Sequence, residues 1–401
     1  MKISLIQPSR NNLKYLKWSY DSIRTNQGDH EVEICIADDF SDKDNTWEWC
    51  LEMMKKDIHF KAIRNEGPTR LGHTILYDTL VNDVASNDIC MIYHADMYLC
   101  PGALDAIEQE LKEKTIVSLT RIEPPLHPEG PEKILQDFGI EPEEFKEELL
   151  LEFISNARMA KKTTEGIFAP WAFWKTDFQE IGGHDAIFAP QSKEDTDIFN
   201  RFHLNGIKFV QTWEGFVYHM TCRGSRFADG AKRNPNGEVF MKNRETDEWL
   251  AQNQKSTREF IRKWGHFCKH DAFMKPIVPP KYDIGINIKN CSESMLEVLE
   301  PWCSVIYTDG NTDSYISKEQ DKTSFDLNKR VKDIDGQYTQ GAHDITVEID
   351  GHNFYQTDMD LISQLSDIFN DSGEVGTFEL GNIKISINHL STHEDKLIIL
   401  N

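Results

Sequence analysis

Over roughly its first 220 residues the chain repeats one unit: a short apolar run, then a stretch with apolar residues at helical spacing. The runs cover 2–8, 31–39, 58–65, 89–96 and 115–122, and the helical patterns between them cover 12–26, 42–55, 70–84 and 101–112. Strand and helix alternating in this way predict an α/β chain with a mostly parallel, Rossmann-like sheet and helices on both faces. Sheets of that kind take ligands beyond the carboxyl ends of their strands. The run "MIYHADMYLCPG", 91–102, therefore raises a question. A buried strand that ends in a carboxylate needs something positive to meet it.

Beyond the alternation the texture changes. Residues 129–163 are acidic and read as helical, with a solvated charged face. Residues 166–174 read as extended, "EIGGHDAIF" as a turn, 192–205 as a helix, and the segment after it as one or two strands ending at "VYHM". Residues 222–247 are polar, glycine-rich and locally basic, and predict a long mobile loop. A helix over 246–265 closes a first domain, 1–274. "KPIVPPKY", 275–282, is the predicted linker. Residues 283–401 then form a smaller, acidic α+β domain of unassigned role. From 281 onward 22 acidic residues face 9 basic ones, more than half of the whole chain's formal charge of −23. That acidity opposes nonspecific attraction to nucleic acid or anionic membranes. No apolar run is long enough to span a bilayer, and "MKISLIQPSRNN" reads as a first strand rather than a signal peptide, which predicts a cytoplasmic protein. The eight cysteines contain no Cys-x-x-Cys pair and read as reduced core residues.

Four polar clusters fall at strand ends or helix starts: Asp38 and Asp39; Arg64, Asn65, Gly67 and Arg70; His94 and Asp96; Glu194 and Asp195. His219 closes the last strand. The first three share one edge of a parallel sheet. Carboxylates gathered there repel one another, and a hard divalent cation relieves the conflict. Mg²⁺ and Mn²⁺ both take oxygen ligands and bridge phosphates, and an imidazole ligand tilts the choice toward Mn²⁺.

In order along the chain, "IADDFSDKD", "RNEGPTRLG", "HADM", "IGGHD" and "KEDTDIFNRFHLNG" resemble the motifs of family 2 glycosyltransferases of the GT-A fold, over residues 1 to about 225. The resemblance implies a nucleotide-diphosphate sugar, a UDP-sugar first, bound at the sheet edge. Asp38 would contact the base or ribose with Asp39 beside it, and Asn65, Arg70 and His94 would join the donor site. Asp96 would hold the metal that bridges the phosphates, with His219 as a further ligand. Asp195, with Glu194 beside it, would be the general base in an inverting displacement. Arg223 and Arg226, with Lys232 and Arg233, would cover the diphosphate. His94 stands where the family has the first Asp of Asp-x-Asp. The acceptor stays open: a glycan, a protein, or a hydroxylated pyrimidine in DNA of the kind some viral enzymes glycosylate. A non-catalytic nucleotide-sugar or glycan-binding protein is the alternative of another class.

Plainer roles compete at several positions. Asp38, Asp39 and Asp96 are also turn formers. Ser192 and Asp195 fit a capping box. Asp197 and Arg201, four apart, predict a surface ion pair. His219 competes as a strand-end histidine held by ordinary contacts. His73, His184 and His203 read as structural, and Trp171 as core or as a platform for a sugar face.

Overall fold

The computed structural model describes residues 1–223, 227, 229–339 and 341–399. Arg226 falls outside them. The chain forms two compact units, one of residues 1–251 with 270–277, the other of 252–269 with 278–399.

The first unit is built on strands β1 (Lys2–Ser9), β2 (Glu31–Asp39), β3 (Phe60–Asn65), β4 (Ile89–Ile92), β5 (Met97–Leu99), β6 (Thr115–Glu123), β7 (Lys133–Leu135), β8 (Thr163–Thr164), β9 (Trp171–Trp174) and β10 (Lys208–His219). Its helices are α1 (Leu13–Asn26), α2 (Thr46–Lys56), α3 (Gly72–Thr79), α4 (Ala103–Glu110), α5 (Glu147–Ala157), α6 (Lys175–Glu180) and α7 (Glu194–Leu204). The sheet runs β3-β2-β1-β4-β9-β6-β10-β5, with β7 added to β6 and β8 to β10. Strands β1 to β4 are parallel, as are β6 and β10; β9 runs antiparallel to β4 and β6, and β5 to β10. The core is the continuous apolar strand interior, with Ile3, Leu5, Ile34, Met91, Val117 and Leu119 closed to solvent. Each such side chain adds about 1.5–3 kcal/mol when it leaves water.

Register places the rim. Ser9 pairs with Asp38, Asp38 with Arg64 and Asp39 with Asn65, so three strands end together. The fourth departs from expectation. The apolar run predicts a strand through 96, yet β4 stops at Ile92. A turn closed by the Met97 N–H on the His94 carbonyl (3.3 Å) follows, and the chain re-enters the sheet as β5 beside β10. His94 and Asp96 are lifted onto the rim by that turn.

The acidic stretch 129–163 is α-helical only over α5, with a single 3₁₀ turn at Pro142–Glu144. Pro131 and Pro142 forbid the intrahelical bonds the charge pattern suggests, and β7 forms between them. The loop 222–247 carries a short hairpin, Lys232–Arg233 against Val239–Phe240. No helix among the described residues is long and apolar enough to cross a membrane.

In the second unit, strands over Val331–Asp333, Val305–Thr308, Ile284–Lys289 and Ile345–Asp350 lie side by side and parallel, followed by the antiparallel pair Ile383–Ile387 and Gly376–Leu380. In sequence terms this is the order third, second, first, fourth, the same as β3-β2-β1-β4. Most of the helix Asp247–Trp264 groups here, although the sequence assigns it to the first domain. The cause is charge: Arg262 binds Glu300 (2.7 Å) and Glu319 (3.0 Å), and Arg258 binds Glu319 (2.9 Å), all within this unit.

Candidate active site

The β4–β5 turn and the end of β10 build the centre of the rim. Met97 pairs with His219, which places the β10 histidine against the turn. Ligand atoms of His94, Asp96 and His219 all lie within 4.8 Å of one another. His219 Nε2 is 3.3 Å from Asp96 Oδ1, and its Nδ1 is 2.9 Å from Glu123 Oε1. Burial disfavours a charged imidazole, but the two carboxylates outweigh it and push His219 up to about 9. Burial alone would raise Asp96; His219 and His94 beside it bring it below the usual carboxylate range instead. His94 is pushed down to about 3, by burial first and by the His219 charge second, and stays neutral with a lone pair to offer.

Asp38 sits at the end of β2 and is closed to solvent. Its Oδ1 accepts the Ser41 N–H at 3.1 Å. Its Oδ2 has no hydrogen-bond partner, although Arg64 Nε lies 3.3 Å away. Burial raises its pKa. Asp39 is differently placed. Its oxygens accept Asn65 Nδ2 (2.8 Å), the Leu71 N–H (3.0 Å) and the Gly72 N–H (3.0 Å), with Arg70 Nε at 3.8 Å. Asp39, Asn65 and Arg70 thus organise the turn into α3.

Glu194 and Asp195 open α7. The competing capping box does not form: the helix starts at Glu194, Lys193 precedes it at φ 73°, and no side chain caps the end. Asp195 keeps solvent access. The protein walls around it still raise its pKa, against the pull of His184 and Arg121. Glu194 is buried, with Oε2 unpartnered. Burial and then the Asp195 charge push it up to about 8. The charges of Asp195, Glu194 and Asp96 converge on the Tyr77 hydroxyl, and those of Asp39 and Asp96 on His73. His73 and Tyr77 are four apart on α3 and so share one face of that helix.

Other expectations are corrected. Asp197 and Arg201 are no surface pair: both are closed to solvent, 2.9 Å apart, and Arg201 also donates to the carbonyls of Ile181 and Gly183. Trp171 is fully buried against Phe173, Phe199 and Phe202, so it cannot stack on a sugar. Arg233 is engaged by Asp137 and Glu144. Arg223 donates to the Ile140 carbonyl beside Glu141, while its charge still reaches Asp96. His184 donates through Nδ1 to Asp78 at 2.7 Å, as a structural histidine can, and its buried Nε2 has no partner. Tyr77, Arg121 and Glu123 carry no motif. Glu123 was nonetheless findable, because "LTRIE" ends a strand at the same rim.

Acidic strand ends, a His/Asp/His cluster and a carboxylate pair thus belong to the sheet and the helix that follows it. Residues 4–182 match the family described as glycosyl transferase family 2. Similar solved structures include TarS 1–349 of S. aureus, at 15% identity and TM-score 0.39 over 55% of this chain and 60% of that one. Another is GalNAc-T7 with UDP, GalNAc and Mn²⁺, at 12% identity and TM-score 0.44 over 66% of this chain and 48% of that one. The chain thus spans less than two thirds of either. No curated protein sequence matches it.

Proposed function

We propose that this protein transfers a sugar from a nucleotide-diphosphate sugar, a UDP-sugar first among them, to an acceptor hydroxyl, with inversion and with Mn²⁺ or Mg²⁺. The observation that carries the reading is the His94, Asp96 and His219 cluster, with its ligand atoms within 4.8 Å of one another. The residues fit a divalent ion. Two imidazoles and one carboxylate favour Mn²⁺ over Mg²⁺, and the Glu123 bond to Nδ1 leaves Nε2 of His219 for a metal. When bound, the ion neutralises the charge that develops on the departing diphosphate.

The chain's own groups do the rest. The unpartnered Oδ2 of Asp38 accepts a hydrogen bond from the base or ribose of the donor. Asp195 accepts the acceptor's hydroxyl proton as the new C–O bond forms. The bond from the anomeric carbon to the phosphate oxygen breaks, and its electron pair leaves with the nucleotide diphosphate. Glu194, protonated at neutral pH by its pKa near 8, keeps the charge beside that base to one unit. Arg223 and Arg233 of the 222–247 loop are held by Glu141, Asp137 and Glu144, so a duplex acceptor gains no support from them.

The test is incubation of the full chain with a panel of nucleotide sugars and Mn²⁺, reading free nucleotide diphosphate. Turnover with one donor is expected, and Asp195→Asn should lower it by about 10²–10⁴-fold while Mn²⁺ binding persists. No release with any donor would favour a binding protein, and full turnover in Asp195→Asn would move the base elsewhere.

A further inference from the structure

Glu123 has no part in the motifs of the family region, yet it is a carboxylate almost closed to solvent at the rim, 1% exposed at the end of β6. Strand pairing explains its position. Ile122 pairs with Tyr218 across the parallel β6–β10 ladder, so the next residues, Glu123 and His219, lie side by side. Glu123 Oε1 is 2.9 Å from Nδ1 of the histidine. The carboxylate is itself fixed, with Arg121 Nη1 3.5 Å from Oε1 and Lys133 Nζ 3.7 Å from Oε2. Those cations offset the cost of burying it.

We propose that Glu123 is a positioning residue for the metal centre: it takes the Nδ1–H of His219 and thereby presents Nε2 to a divalent ion shared with Asp96 and His94. The proposal rests on the metal reading above. A carboxylate behind a ligating imidazole fixes the tautomer and the ring orientation and raises the basicity of the other nitrogen. Here the far side of the ring already faces Asp96, at 3.3 Å. Without Glu123 the ring could turn or place its proton on Nε2, and the cluster would lose one donor.

The test uses the full chain and Mn²⁺ alone, with bound ion read by electron paramagnetic resonance. Wild type should bind one ion saturably. Glu123→Gln keeps the size and an oxygen acceptor but loses the charge, and should weaken binding about 10–100-fold. In a His219→Ala background Glu123→Gln should change nothing further, because the effect passes through that ring; an equal loss there would show a general structural effect and overturn the proposal. Unchanged affinity in Glu123→Gln, with wild type binding normally, overturns the role of Glu123 alone. A wild type that binds no Mn²⁺ overturns the metal reading as well. Should Glu123→Gln not fold, histidine ¹⁵N resonances of the Cd²⁺-loaded wild type answer the same question: a proton on Nδ1 of His219 supports the proposal, and one on Nε2 overturns it.

Discussion

Glu194 is the residue with the most to reveal about the site. Its carboxyl is enclosed, one oxygen has no partner, and Asp195 is its neighbour, so its pKa rises from 4.5 to about 8. A carboxyl with a raised native pKa binds more protons folded than unfolded. Stability therefore falls as pH rises from about 4.5 through 8, and levels off above. Glu194→Gln removes that penalty without changing volume. The variant should melt higher than wild type at pH 9, and the gap should close toward pH 5, as followed by calorimetry across the range. A gap independent of pH would mean that Glu194 is ionised in the native protein. The sequence placed Glu194 and Asp195 at a helix start, which was visible from spacing. The unequal burial of the two was not, because it depends on tertiary packing around the helix start.

The first turn of α7 is held by an internal ion pair. Arg201 at 2.9 Å from Asp197 also closes on the carbonyls of Ile181 and Gly183, so one guanidinium ties the helix to the turn before it. Gly183 has φ +73°, and a Cβ there would stand 2.2 Å from Asp78 Oδ2, which leaves no room for another residue. Arg201→Met strands a buried carboxylate and should cost about 3–5 kcal/mol. An unfolding free energy lowered by less than about 1 kcal/mol in denaturant titration would return the pair to the surface role the i, i+4 spacing suggests. The sequence showed the pair and its spacing; its burial follows from packing between α7 and β9. The β4–β5 turn teaches the same lesson. "MIYHADMYL" is one apolar run in sequence, and the break after Ile92 arises because β10 offers β5 a place on the far side of the sheet.

Two units repeat one order of parallel strands, but their rims differ in what they leave unmet. In the first, Ser9, Asp38, Arg64, Arg70, His184 and Glu194 hold buried polar atoms without hydrogen-bond partners. Buried groups are rarely left so, and Ser9, Asp38 and Arg64 stand at paired strand ends. In the second, Asp309 accepts the Asn290 and Cys291 N–H groups and Asp350 accepts Asn290 Nδ2, so the corresponding strand ends are closed by their own chain. Its stability lies in a buried network: Glu300 receives Arg262, Arg330 and Tyr315. Burial would raise its pKa, but the arginines hold it near 2. Glu300→Gln should destabilise the second unit by about 3–5 kcal/mol while Mn²⁺ binding by the first is kept. A parallel fall in Mn²⁺ affinity would show that the two units do not act separately.

Periodicity and strand-end chemistry were enough to give the α/β class, the parallel rim and most of the polar groups upon it. These are local properties: apolar runs bury themselves as strands, and whatever polar residue follows a run must emerge at its end. Glu123 behind His219, Tyr77 stacked on His184, the burial of Arg201 and the repeated strand order of the second unit came from the folded molecule. Each depends on which strand lies beside which, and contacts between residues nearly a hundred positions apart leave no period in the chain to read.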